Sequence, residues 1–213
     1  MFQYYNYIEI AALLTGIWLF KKTWDTAYKL LLVFVAITVA LELAGIYINM
    51  VLHQHNTWLY NLYVPLQGVL LLSIFSRIVL LAFIKKTINS LIAIFLVSVV
   101  ISYYIQPDFL SLNNHALVIS LVCFCIASSL FFIDVMRNNS TLPLTKQPGL
   151  WFATGVLMMS VLFICRFAFW NLVLLTPNYK QMLGLLINIA DTFMYLGIIV
   201  TFICVKYSTK QEN

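Results

Sequence analysis

Apolar runs of about twenty residues, separated by short basic connectors, recur along this chain and decide what it can become. Hydrocarbon holds no water to take a backbone N–H or C=O, so each run must satisfy its own polar groups. Runs of this length do so as helices, whereas barrel strands would alternate at period two over about ten residues. Seven runs are read as spans, at 4–20, 28–52, 57–79, 87–105, 114–135, 151–175 and 182–205. Composition agrees, with 63% hydrophobic and 9% charged residues in 213. The expectation is an all-α membrane protein, a single seven-transmembrane-helix bundle over residues 1–213. The boundary between spans three and four is the least sharp, because Leu80 to Ile84 could prolong the third.

Charge sets the orientation. Of the twelve Lys and Arg residues, ten fall in or beside connectors one, three and five or in the tail: Lys21, Lys22, Lys29, Arg77, Lys85, Lys86, Arg137, Lys146, Lys206 and Lys210. Lys180 alone lies on the other side, and Arg166 lies within a span. The positive-inside rule makes the basic side cytoplasmic, with the N-terminus outside and the C-terminus inside. The net charge of +5 is then a matter of topology, and nucleic acid is not implied. Tyr4, Tyr5, Tyr7, Trp58, Tyr60, Tyr63, Tyr103, Tyr104 and Trp170 form an expected outer aromatic belt; Trp24, Tyr28, Trp151 and Tyr207 form the inner one. Asn113-Asn114, Pro177-Asn178, Asn138-Asn139-Ser140 and Pro148-Gly149 are turn signals. The four cysteines, Cys123, Cys125, Cys165 and Cys204, all lie in spans and read as packing thiols. Glu9 in the first run, without a basic leader, argues against a cleavable signal peptide. The expected setting is a multi-pass protein of the cell membrane, of the bacterial inner membrane type.

The polar residues inside the spans carry any functional argument. An acid at mid-bilayer costs about 2.5–3.5 kcal/mol on insertion scales, so it normally has a partner or a task. Asp191 is such an acid, and Asn188, Asp191 and Tyr195 share a face at i, i+3 and i+7. Arg166 in span six is its expected counter-ion. Thr38, Glu42, Gly45 and Asn49 form one stripe of span two, and Tyr60, Tyr63 and Gln67 one face of span three. Pro65 can free a backbone carbonyl in that helix. Counted by helical rise, these groups gather in the outer half, around an expected cavity lined by spans one, two, three, six and seven. The candidate ligand-binding residues are Glu42, Asn49, Tyr63, Gln67, Arg166, Asn188, Asp191 and Tyr195. The same groups could serve only to hold helix register. Glu9, nearer the rim, is expected to be exposed or to snorkel. Asp134 with Arg137 reads as an interfacial pair. His53, His55 and His115 are weak metal candidates, because their spacing matches no ligand signature.

Seven spans are the topology of rhodopsins and G-protein-coupled receptors, but topology alone decides no function. Retinal needs a lysine mid-way along the last helix, where this chain has Asn188-Ile189-Ala190-Asp191. The ceramidase and progestin-receptor-like hydrolases need late histidines, and none follows His115. Glu42-Leu43, Asn56-Thr57-Trp58-x-Tyr60-Asn61-x-Tyr63 and Trp151-Phe152-Ala153-Thr154-Gly155 together resemble a group of small bacterial seven-span membrane proteins of unassigned function. That group often has an acid where Gln67 stands here, a departure that puts any shared acid chemistry in doubt. Some members lie near sensor kinases, and the resemblance therefore implies a signalling partner in the cytoplasm. Three readings stay open. One is a sensor or receptor binding a small or lipidic ligand; another is a proton- or solute-coupled transporter using Glu42 and Asp191. The last is an intramembrane metal-dependent lipid hydrolase. No catalytic signature and no cofactor motif is recognised.

Overall fold

The computed structural model describes residues 4–108, 111–138, 143–168 and 177–208. They form seven α-helices: α1 (Tyr4–Leu19), α2 (Thr26–Met50), α3 (Thr57–Ile78), α4 (Ala82–Ile105), α5 (Asn114–Arg137), α6 (Pro148–Ala168) and α7 (Pro177–Ser208), with a short 3₁₀ turn at Leu144–Lys146. Six of them, α2 to α7, are long and apolar enough to cross a bilayer. The sixteen residues of α1 span about 24 Å at helical rise, less than a hydrocarbon core of about 30 Å. The chain is thus built as a multi-pass membrane protein whose outward side chains, such as Ile94, Val97 and Ile101, are apolar and exposed. Pro177-Asn178, expected as a turn, instead opens α7, where proline's missing N–H falls among donors that are unpaired in any case. Trp170, the stretch of span six up to Leu175, the Asn139-Ser140 turn, the Lys180 side chain and Lys210 lie outside the described residues.

The chain divides into two compact units, residues 21–139 and residues 3–20 with 140–213. In the first, α3 is central and packs against α2, α4 and α5. Gly68 makes room for α4: a Cβ there would stand 2.3 Å from the Phe95 ring, and Phe95 is fully buried. The unclear boundary between spans three and four resolves here. α3 ends at Ile78, and α4 starts at Ala82 rather than near Thr87. The break is held from α5, because the Asp134 carboxylate accepts the backbone N–H groups of Leu80 (3.0 Å) and Leu81 (2.8 Å). Asp134 is 2% exposed and does not form the expected pair with Arg137. Two N–H groups left over at a helix start are satisfied by a carboxylate from another helix, which also suits the positive end of the dipole.

In the second unit α7 packs against α1 and α6. α6 and α7 approach through Gly155 and Gly197, the small-residue contact expected where helix association depends on close packing rather than on hydrophobic driving force. A Cβ on Gly197 would lie 2.7 Å from the Trp151 carbonyl oxygen and 3.2 Å from the Gly155 Cα. The Thr201 hydroxyl, 3.2 Å from the Pro148 carbonyl, and the Trp151 indole N–H donating to the Thr145 carbonyl at 2.9 Å tie the start of α6 in place. At the same end the Lys206 ammonium sits 5.1 Å above the Trp18 ring. Burial also revises two aromatic assignments: Trp24 at 2% and Tyr63 at 8% exposure pack inside rather than at an interface.

Candidate functional site

The α2–α3 pair joins its polar residues in rungs. Thr38 Oγ1 and the Tyr63 hydroxyl are 2.6 Å apart, and the Thr38 hydroxyl is also 2.9 Å from the Phe34 carbonyl. One turn nearer the α2–α3 connector, the Tyr60 hydroxyl donates to the Glu42 carboxylate at 3.2 Å. A turn further, the Asn56 amide donates to the Gly45 carbonyl at 3.1 Å. Gly45 permits this closure, because a Cβ would come within 3.2 Å of both Asn56 and Tyr60. Glu42 is therefore half-buried with a named partner, and Tyr63 is a buried member of the ladder. Gln67 is half-buried and Asn49 is exposed in the last turn of α2; neither joins the rungs.

Beside this ladder lies a buried polar hub that sequence reasoning missed. Pro65 cannot donate to the carbonyl four residues back, which is that of Asn61. The Tyr103 hydroxyl of α4 donates to that freed oxygen. The Asn61 amide donates to the Ser111 carbonyl at 2.9 Å, and its Oδ1 accepts from the Asn113 backbone at 2.9 Å. Asn113 then caps α5 by accepting the Ala116 N–H at 3.0 Å and donates to the Ser102 hydroxyl at 3.1 Å. Asn61, Ser102 and Asn113 are each 3% exposed or less. One proline thus creates an acceptor, and three helices meet around its solution. Tyr103→Phe is expected to leave that carbonyl unsatisfied and to destabilise the protein by about 1–3 kcal/mol. Chemical or thermal unfolding in detergent checks this, and an unchanged midpoint would remove Tyr103 from the hub.

The second unit holds the other candidates. Arg166 falls in the last described turn of α6 and Asp191 in the middle of α7, and the two interact electrostatically. Arg166 is 18 residues from Pro148 and Asp191 is 17 from Ser208, so both lie about 26 Å along their helices from the basic ends. Both are half-buried. Asn188, three residues before Asp191, has a shielded carbonyl oxygen with no hydrogen bond among the described residues. Tyr195, one turn the other way, is buried. Glu9 departs from expectation: it is 1% exposed, on the stripe Asn6, Glu9, Ala12, Gly16 and Leu19 that α1 buries. Its depth suggested exposure, but its helical register places it on the packing face.

His53, His55 and His115 are exposed, and among the described residues no three His, Cys, Asp or Glu side chains come together as a metal site. The cysteines are free, with Cys123 buried and the other three half-buried.

No protein-family model, curated protein or solved structure matches the chain. Its own residues carry the functional argument. Unit by unit, they offer a carboxylate held by a phenol on α2 and α3, and an Arg–Asp interaction beside an unsatisfied amide oxygen on α6 and α7.

Proposed function

We propose that this is an integral membrane protein of sensor or receptor type that binds a small or lipidic ligand through Arg166, Asn188 and Asp191. The observation that carries the reading is the Asn188 carbonyl oxygen, shielded from solvent and lacking a hydrogen bond among the described residues, three residues from an acid that interacts with Arg166. A shielded acceptor without a donor loses about 1–3 kcal/mol, and a bound group carrying an O–H or N–H recovers it. Arg166 offers a planar fork of donors to an anionic part of the same ligand. Glu42, Asn49, Tyr63 and Gln67 are the remaining candidates of the first unit, and Tyr195 that of the second.

In this reading α1 also crosses the membrane, with the N-terminus outside and the C-terminus in the cytoplasm. The basic connectors support that orientation. The described connectors are short, so output passes by a helix shift to a separate cytoplasmic partner. Thermal unfolding of the purified full chain against a panel of anionic metabolites and lipids tests the proposal. A ligand at a hundredfold excess over its Kd stabilises by about 2.7 kcal/mol, which raises Tm by about 5–10 °C for a chain of this size. Arg166→Gln and Asn188→Ala are expected to abolish that rise while leaving the unliganded protein folded. A panel with no responder, or a responder indifferent to both substitutions, would overturn it.

A further inference from the structure

A second polar feature lies at the opposite, basic end of the first unit. Ser73, Ser76 and Arg77 fall at i, i+3 and i+4 on α3, and Lys85, Asn89 and Ile92 at i, i+4 and i+7 on α4. Each set is one helix face, and together they line a cavity of about 280 Å³. The Ser76 hydroxyl lies 2.6 Å from Asn89 Oδ1, an arrangement that leaves the Asn89 NH₂ uncommitted among the described residues. Arg77 and Lys85 are exposed, and neither pairs with an acid among the described residues. The acid that α5 brings to this end, Asp134, is occupied by Leu80 and Leu81.

We infer that this groove seats the phosphate of an anionic membrane lipid. Two cations at one rim, with the Ser73 hydroxyl and the Asn89 NH₂ beside them, supply the donors a phosphate requires, and an arginine fork suits its geometry. The gradient along the groove identifies the source. Arg77 and Lys85 mark the rim, whereas Ser73 lies about 6 Å deeper on α3 and Ile92 about 10 Å deeper on α4. Leu80 and Phe83, each 75% exposed, add apolar surface at the rim, and the acyl chains run the other way, past Ile92 toward the bilayer interior. A free phosphate would use the rim alone, but a glycerophosphate headgroup uses the gradient. The volume lies just below that of ligand clefts, about 300–1,000 Å³, so it takes a headgroup and leaves the chains in the bilayer. Basic pockets between helices at a membrane surface bind such headgroups for these reasons.

The test uses full-length protein in a zwitterionic detergent, titrated with short-chain phosphatidylglycerol, phosphatidylcholine or inorganic phosphate, with Tm as the readout. Phosphatidylglycerol is expected to raise Tm saturably and phosphatidylcholine not to do so. Each basic residue near an anionic surface gives about a fivefold gain, so Arg77→Gln with Lys85→Gln weakens binding on the order of 30-fold. Ser73→Leu fills the groove without changing charge and is expected to abolish the response. Lys21→Gln with Lys22→Gln removes equal charge elsewhere and is expected to preserve it. An equal response to both lipids, or loss in the Lys21/Lys22 variant matching that in the Arg77/Lys85 variant, overturns the inference. A rise with inorganic phosphate as large as with lipid overturns the lipid assignment.

Discussion

Gly197→Ala is expected to lower the stability of the α6–α7 pair by at least about 3 kcal/mol, the upper range for overpacked interiors. The new methyl would stand 2.7 Å from the Trp151 carbonyl oxygen, a backbone atom that no rotamer change can move. It would also crowd the Gly155 Cα at 3.2 Å, so separation of the two helices is the available relief. That separation would stretch the contact of Thr201 with the Pro148 carbonyl and forfeit packing along the whole helix pair. Gly155→Ala meets carbonyl oxygens at 3.1 Å and should cost less. Gly184 supplies the control on the same helix, since a Cβ there meets nothing within 4 Å. Gly184→Ala should be neutral or gain up to about 1 kcal/mol from helix propensity. Unfolding in mixed micelles would rank the three variants, and equal midpoints for Gly197→Ala and Gly184→Ala would contradict this account of the interface.

The second large effect belongs to Asp134. Its two oxygens hold the N–H groups of Leu80 and Leu81, which fixes where α3 stops and α4 begins. Hydrogen bonds to a charged group contribute about 1.5–3 kcal/mol each. Leu80 is 75% exposed, so water recovers part of the loss, and Asp134→Ala is expected to cost about 2–4 kcal/mol. Asp134→Asn retains a single acceptor oxygen and should fall between. Amide hydrogen exchange gives the sharper readout, with the Leu80 and Leu81 amides losing protection before the rest of α4. If those amides exchange as slowly in Asp134→Ala as in the native chain, the carboxylate is not what secures the break.

Several features of the candidate site could be read without coordinates because they depend on helical spacing alone. Thr38 and Glu42 do share a stripe, and their partners Tyr63 and Tyr60 share the facing one. The carbonyl freed by Pro65 was likewise predictable from the missing N–H. Its acceptor role at Asn61 and its donor, Tyr103, were not, because the donor lies 42 residues on. Glu9 was misjudged for a related reason. Depth along a helix follows from counting residues, but which face is buried depends on the neighbouring helix.

The sequence by itself determined that the chain is helical, that it crosses a membrane repeatedly and roughly where the described helices run. Those properties follow from local demands: length, apolarity and a backbone that must bond to itself in lipid. Only the tertiary structure decided that Asp134 serves two backbone amides rather than Arg137, that Gly155 meets Gly197, and that Arg77 and Lys85 face one groove. These are pairings across helices, and a pairing depends on register and rotation between elements that no single run encodes.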